Sequence, residues 1–169
     1  MTRASTGGPV PELPGWHGPR PGAVPPTRQA VDEWLVAYVR AWQRYDPADI
    51  GNLFTEDATW WQPFGVRAQG RDRIVAEWMA EQHLDEPGGY GGRYECIAVD
   101  GDLAVCHGRT EFVDPTSGER RGRFDNLWVL RFGPDGRCAE FHEWYAPEPV
   151  PAGDAAPPGA ESPRRDSNP

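Results

Sequence analysis

Residues 123–137 read RFDNLWVLRFGPDGR. Residues 124–132 alternate and are rich in aromatic and β-branched side chains, which predicts a β-strand. The Gly-Pro-Asp-Gly sequence at 133–136 predicts a tight turn, and residues 138–145 predict the partner strand. Because successive strand residues point to opposite faces, one face would carry Arg123, Asp125, Leu127, Val129 and Arg131, and the other Phe124, Asn126, Trp128, Leu130 and Phe132.

The charge of the chain excludes several classes of partner. The formal net charge is −9, and all 17 basic residues are arginine. Nucleic-acid binding and attraction to anionic membranes need a basic surface, so neither is expected. No apolar run approaches the length of a membrane span, and the N-terminus has no apolar leader. The sequence therefore predicts a cytoplasmic protein.

The cysteines and histidines give no metal-site pattern. Cys96, Cys106 and Cys138 are odd in number, fall in predicted strands and form no Cys-x-x-Cys pair. They are expected to be free, buried thiols in a reducing compartment. The histidines are scattered, and no glycine-rich loop lies between a strand and a helix, so we predict neither a metal nor a phosphate cofactor.

Periodicity predicts two helices, a strand and a third helix, followed by four strands. Thr27 can cap a first helix that ends near Arg44, with Val31, Trp34, Leu35, Tyr38, Val39 and Trp42 along its apolar stripe. The other predicted elements are a short helix after Asp46, a strand at 58–62, a loop at 64–70, a helix at 71–84, a glycine-rich lid at 88–92, and strands at 93–99, 103–113, 121–132 and 138–145.

This order predicts an α+β fold in which a curved antiparallel sheet wraps around helices packed on one face. The domain is expected to span residues 27–147. Residues 1–26 and 148–169 are rich in Gly, Pro and Ala, and we predict that both segments are disordered.

Several motifs resemble one family. The residues at 49–60 (DIGNLFTEDATW) resemble a short helix followed by an acidic-Asp-Ala-x-aromatic strand, and Gly-Arg-Asp at 70–72 resembles the start of the next helix. Residues 124–132, 136–138 and 143–145 resemble the final β-hairpin of the same family. Together these segments resemble the SnoaL-like domain of the nuclear transport factor two-like superfamily, over nearly all of residues 27–147.

The resemblance implies a cone-shaped cystatin-like α+β barrel with a deep cavity between sheet and helices. It also implies a homodimer formed through the sheet and a small apolar molecule as ligand. The superfamily includes ketosteroid isomerases, polyketide cyclases, limonene-epoxide hydrolases, dehydratases and non-catalytic binding modules. The fold therefore leaves the activity open.

Three catalytic interpretations follow from this resemblance. An isomerase would place a carboxylate at the end of the first strand, where this chain has Gln62, although Tyr38 resembles the oxyanion-hole tyrosine. An epoxide hydrolase would use an Arg-x-Asp pair with a second acid, which Arg123, Asp125 and Glu143 match. Residues two apart on a strand share a face, so Arg123 and Asp125 can point into one cavity. The sequence leaves open which face of this strand meets the cavity.

A cyclase would need an acid or a His–acid pair in an aromatic cavity, and Asp125 with His107 on the neighbouring strand can supply it. Cofactor-free acid/base catalysis is therefore expected to use Asp125, Arg123, and Glu143 or His107. The predicted pocket residues are Tyr38, Trp42, Trp60, Phe64 and Trp78. The alternative is a non-catalytic ligand-binding or dimeric interaction module.

Overall fold

The computed structural model describes residues 24–81 and 89–149. The predicted disordered ends, apart from residues 24–26, 148 and 149, and part of the predicted glycine lid lie outside these ranges. The described residues form α1 (Arg28–Arg44), α2 (Pro47–Gly51), β1 (Phe54–Gln62), β2 (Gly65–Gln69), α3 (Arg71–Glu81), β3 (Tyr90–Asp100), β4 (Leu103–Val113), β5 (Arg120–Phe132) and β6 (Cys138–Pro147).

Helix α1 begins and ends at residues that satisfy its terminal backbone groups. The Thr27 hydroxyl accepts a hydrogen bond from the Ala30 N–H at 3.1 Å, which confirms the predicted cap. At the other end Tyr45 has a left-handed φ of 49°, and its N–H donates to the Ala41 carbonyl at 2.9 Å. The apolar stripe is also confirmed, with Val31, Trp34, Leu35, Tyr38, Ala41 and Trp42 buried.

The six strands form one open, curved sheet in the order β2-β1-β6-β5-β4-β3. The predicted α+β cystatin-like architecture is confirmed, and β3 to β6 pair antiparallel as a meander. One pair differs from the predicted antiparallel sheet, because β1 and β6 are parallel. Parallel neighbours need a long crossover, and the chain from α3 through β5 provides it.

Strand β2 corrects the prediction of a loop at 64–70. Its residues pair antiparallel with β1, with Gly65 opposite Gln62 and Ala68 opposite Trp60. Pro63 and Phe64 make the turn between the two strands, and Phe64 takes the positive φ of 80° that the second central residue of a type II turn requires after a proline. A strand of five residues between glycines has too little alternation to be recognised from sequence.

Tyr38 lies at the centre of the aromatic core between α1 and the inner face of the sheet. Its ring centroid is 4.6 Å from that of Trp128 on β5 and 5.1 Å from that of Trp78 on α3. Trp34 closes one end of this core, and its indole N–H donates to the Leu53 carbonyl at 2.9 Å. The face of β5 that contains Trp128 is therefore the one that packs against the helices.

Cys96, Cys106 and Cys138 are free and buried, as predicted. Burial raises the pKa of the Cys106 and Cys138 thiols, so both remain protonated at neutral pH and behave as small apolar groups.

None of the helices within residues 24–81 and 89–149 combines the length and the apolar character that crossing a membrane requires.

Candidate functional site

A cavity of about 440 Å³ lies between α1 and the inner face of the sheet. Its described wall is mostly aromatic. Two of the lining residues, Arg121 and Tyr145, are exposed and mark the open end. The rings that line it are Tyr38, Trp42, Trp60, Tyr90, Tyr94, Phe112, Phe124 and Tyr145.

Glu143 is the single carboxylate among the described residues that line the cavity. Strand alternation points it inward, and it lies opposite Trp128 in the β5–β6 register. The parallel pairing of β1 with β6 sets Trp61 beside His142, which brings the next residue, Gln62, to Glu143. The Gln62 Nε2 donates to Glu143 Oε2 at 3.4 Å. A carboxylate from the adjacent strand therefore lies beside the end of β1.

A chain of neutral polar groups crosses the inner faces of β3, β4 and β5. The hydroxyls of Tyr90 and Tyr94 share a hydrogen bond of 2.7 Å, and that of Tyr94 lies 2.5 Å from the Thr110 hydroxyl. Asn126 then donates from Nδ2 to Thr110 Oγ1 at 2.9 Å. Thr110 and Asn126 are only 5% and 4% exposed, so these bonds satisfy polar groups that are largely buried.

The cavity tyrosines are held in their neutral form. Burial raises the pKa of Tyr38 and Tyr90 well above the usual value, and it raises the pKa of Tyr94 to about 12. The negative charge of Glu143 raises all three pKa values further. These hydroxyls therefore stay protonated at neutral pH.

A glycine on β4 shapes this part of the wall. The Tyr94 ring stacks on Trp128 with centroids 4.0 Å apart, and to do so it lies directly over Gly108. A Cβ at Gly108 would overlap the Tyr94 ring and would lie 2.6 Å from the Arg93 carbonyl oxygen. Gly108 therefore permits the stacking that brings Tyr94 to the cavity.

Three of the five predicted pocket residues line the cavity: Tyr38, Trp42 and Trp60. Trp78 is not among the lining residues, because it is 1% exposed and packs behind the wall, with its ring 4.7 Å from that of Trp42. Phe64 is fully exposed in the β1–β2 turn, where its positive φ directs the side chain away from the domain.

Asp125 and His107 do meet, but on the outer face of the sheet. His107 Nε2 lies 2.6 Å from Asp125 Oδ1, and the two side chains are 42% and 51% exposed. Neither residue lines the cavity. The predicted catalytic roles of Asp125 and His107 required both side chains to point into the cavity, so these two roles are corrected. Asn126 points inward on β5, and alternation sends its neighbour Asp125 outward.

Arg123 is on the same outer face. Its guanidinium contacts Glu111 and Glu148, each at 3.2 Å. The Arg123, Asp125 and Glu143 set that an epoxide hydrolase would use is thus divided between the two sides of the sheet. Glu143 alone among the predicted catalytic residues lines the cavity.

Several cavity residues were not predicted, chiefly Tyr90, Tyr94, Thr110 and Asn126. Tyr90 was predicted to lie in the glycine-rich lid, whereas the structure includes it in β3, where it shares a face with Tyr94 four residues later. One signal was present in the sequence. Asn126 shares the face of Phe124 and Trp128, and a polar residue within an aromatic face indicates a lined cavity.

The described part of the chain contains no group of three or more His, Cys, Asp or Glu side chains that could hold a metal ion.

Several solved structures share this fold. A SnoaL-like protein of unknown function from Burkholderia thailandensis is 18% identical, with a TM-score of 0.56 over 73% of this chain and 99% of that one. A ketosteroid isomerase-like protein from Catenulispora acidiphila, in complex with trimethylamine, is 17% identical, with a TM-score of 0.53 over 68% and 85% of the two chains.

An LEH-like epoxide hydrolase from M. tuberculosis is 16% identical, with a TM-score of 0.53 over 72% of this chain and 86% of that one. At such identities these likenesses show the shared fold. No curated protein sequence matches this chain. The family model of the SnoaL-like domain matches residues 35–141, which is more than half of the sequence. This chain therefore belongs to the SnoaL-like domain family.

Proposed function

We propose that this protein binds one largely apolar small molecule in the cavity and that Glu143 makes its main polar contact with it. The observation that carries this proposal is the placement of a single described carboxylate in a wall of aromatic rings. Cavities of about 300–1,000 Å³ with apolar walls and a few convergent polar groups are typical small-molecule sites. A volume of about 440 Å³ lies in that range.

Binding can be tested through tryptophan fluorescence, because Trp42 and Trp60 line the cavity. Neutral aromatic alcohols are suitable probes, since they combine an apolar body with one hydroxyl that can donate a hydrogen bond to the Glu143 carboxylate. Wild type is expected to show saturable quenching. Glu143→Gln should weaken binding of the best probe by about tenfold, since a hydrogen bond donated to a charged group contributes about 1.5–3 kcal/mol.

Glu111→Gln is the matched control, because it makes the same chemical change on the outer face, where Glu111 contacts Arg123. It should leave the affinity unchanged. Saturable binding that responds equally to both substitutions would place the ligand elsewhere, and absence of binding by any probe would contradict the proposal.

Acid/base catalysis by Glu143 is the second candidate. The contact between Glu143 and Gln62, together with protonated tyrosines near the carboxylate, favours it. A carboxylate can accept a proton from bound substrate while neutral hydroxyls stabilise developing negative charge. In this case Glu143→Gln would abolish turnover of an epoxide or ketone probe but would retain binding. If the wild-type protein binds these probes but does not turn them over, the protein acts as a non-catalytic binding module.

We also propose that the outer face of the sheet forms a homodimer contact. Leu127 and Trp144 are register neighbours there and are 43% and 41% exposed. Paired apolar side chains on an open sheet face are typical of interfaces. Sedimentation should show a dimer for wild type and a monomer for Leu127→Arg. Val36→Arg, at an exposed site on α1, is the control that should remain dimeric.

A further inference from the structure

Asn126 on β5 lines the same cavity as Glu143 on β6. In the β5–β6 register Asn126 lies opposite Tyr145, and Glu143 lies opposite Trp128. The two polar residues are therefore diagonal neighbours on the inner face of the sheet, and such neighbours are about 7–8 Å apart. One small molecule in the cavity can thus contact both residues.

The carboxamide of Asn126 is held in one orientation by two acceptors. Its Nδ2 donates to Thr110 Oγ1 at 2.9 Å and to the Phe124 carbonyl at 3.4 Å. Turning the amide over would set Oδ1 against the Phe124 carbonyl oxygen, and neither of these two oxygens has a proton to donate. The amide nitrogen is therefore directed to the sheet and the amide oxygen away from these partners.

The tyrosine hydroxyls of β3 keep Thr110 in place. Thr110 Oγ1 lies 2.5 Å from the Tyr94 hydroxyl, which lies 2.7 Å from the Tyr90 hydroxyl. Burial raises the pKa of both tyrosines, so these hydroxyls keep their protons at neutral pH. The orientation of the Asn126 amide therefore depends on a hydrogen-bond network that extends over three strands.

The amide oxygen of Asn126 is the acceptor of this network that faces the cavity. No residue within 24–81 and 89–149 donates a hydrogen bond to Asn126 Oδ1. The residue is 4% exposed and lines the cavity, and Oδ1 is not enclosed by protein atoms. An amide oxygen that leaves water without a donor costs free energy, and a hydroxyl of the ligand can supply that donor.

The geometry points to Asn126 as a second ligand-contacting residue, whose Oδ1 accepts a hydrogen bond from a hydroxyl of the bound molecule. Thr110 is the positioning residue that orients the Asn126 amide. Together with Glu143, this arrangement favours an apolar compound with two hydroxyl groups at opposite ends of a ring. The inference rests on the proposed binding function and adds a second point of recognition to it.

Two probes that differ by one methyl group test the inference by calorimetry on the full chain. Para-benzenedimethanol has two hydroxyls, whereas in its monomethyl ether one of the two oxygens can only accept. Wild type is expected to bind the diol about tenfold more tightly, since the ether leaves either Asn126 Oδ1 or Glu143 without a donor. This comparison does not depend on how a variant folds. Equal or tighter binding of the ether would overturn the inference and leave the binding function standing.

Asn126→Leu should remove most of the preference for the diol, because leucine has a similar shape and no acceptor. Asn52→Leu makes the same change at the exposed C-terminal end of α2 and should keep the preference. A preference that survives Asn126→Leu would assign the hydroxyl contact to another residue and would overturn the inference.

Thr110→Val removes the acceptor that orients the Asn126 amide, so it should also reduce the ratio of the two affinities. Thr110→Ser retains the hydroxyl and should retain the ratio. A purely structural role for Thr110 would instead lower both affinities equally. If neither probe, nor any other aromatic alcohol, bound at about millimolar concentration, the binding function and this inference would both fail.

Discussion

His107 and Asp125 form a close pair, with Nε2 2.6 Å from Oδ1, and the pair lies on the opposite side of the sheet from the cavity. By composition and spacing it resembles a catalytic His–acid pair. Its two side chains are about half exposed, so water can screen their interaction. The acid that lines the cavity is instead Glu143, on β6.

The position of this pair predicts that Asp125 is dispensable for binding. Asp125→Asn should leave the affinity for any cavity ligand within about twofold, because the side chain points away from the cavity. The free energy of unfolding should change by less than about 1 kcal/mol, as expected for an exposed ion pair. Fluorescence titration and urea unfolding measure the two quantities. A tenfold loss of affinity with unchanged stability would contradict the placement.

Gly108 is predicted to be essential for the cavity wall. Gly108→Ala places a Cβ against the Tyr94 ring and 2.6 Å from the Arg93 carbonyl, and backbone cannot move away cheaply. We expect a loss of about 3 kcal/mol in unfolding free energy, together with disrupted stacking of Tyr94 on Trp128.

Gly91→Ala is the matched control for this substitution. Gly91 lies on β3, and an added Cβ would make an ordinary contact at 3.8 Å with the Glu111 carbonyl. Its unfolding free energy should change by about 0.5 kcal/mol or less. Similar melting temperatures for the two variants would show that Tyr94 can repack over an alanine.

The buried pair of Arg131 and Asp102 should be sensitive to removal of one charge. Arg131 Nη1 lies 2.6 Å from Asp102 Oδ1, and the two side chains are 4% and 1% exposed. Asp102→Ala should lower the unfolding free energy by about 3 kcal/mol, because it removes a hydrogen-bonded charge from buried Arg131.

Two further variants test that cause. Arg131 Nε also lies 3.4 Å from Glu140 Oε2. Adding Arg131→Met to Asp102→Ala should still recover part of the loss, since the buried arginine is removed and Glu140, which is 25% exposed, can be solvated. Arg44→Ala removes an exposed pair with Asp49 and should cost less than about 1 kcal/mol. A double variant no more stable than Asp102→Ala would indicate that lost packing causes the destabilisation, and not the weaker compensation of the Arg131 charge.

Asp114 should titrate at unusually low pH. Backbone N–H donation from Ser117, with hydrogen bonds from Arg121 and the Thr116 N–H, lowers its pKa from 3.8 to about 2. Because the folded pKa is the lower one, the stabilisation is present above about pH 4 and is lost as the pH falls through about 2. Carboxyl NMR titration should show this pKa, and Arg121→Gln should raise it. A titration midpoint near pH 4 for Asp114 in the wild-type protein would contradict these hydrogen bonds.

Local patterns predicted much of the fold correctly. The stripe on α1 recurs with helical spacing, and the four strands predicted between residues 93 and 145 each span seven or more residues, so each pattern was strong. Strand β2 was missed because five residues between glycines carry little periodicity. The parallel contact of β1 with β6 was missed because strand partners far apart in sequence leave no local trace.

The candidate site was only partly predictable for the same reason. Tyr38, Trp42 and Trp60 were predicted because large aromatic residues on core elements often line cavities, and they do so here. Phe64 and Trp78 are also large aromatic residues, but Phe64 lies in a turn and Trp78 packs behind the cavity wall. The backbone conformation at Phe64 and the depth of Trp78 depend on contacts with other elements.

The sequence by itself determined which side chains within residues 123–137 lie on the same face of the strand, because alternation is a property of extended backbone. It grouped Arg123 with Asp125, and Asn126 with Trp128, and the structure retains both groups. Only the tertiary structure decided which face meets the cavity. That choice depends on the packing of α1 over Trp128, whose ring centroid lies 4.6 Å from that of Tyr38. This packing directs Asp125 outward. The pairing of β1 with β6 brings Glu143 to Gln62 in the cavity wall.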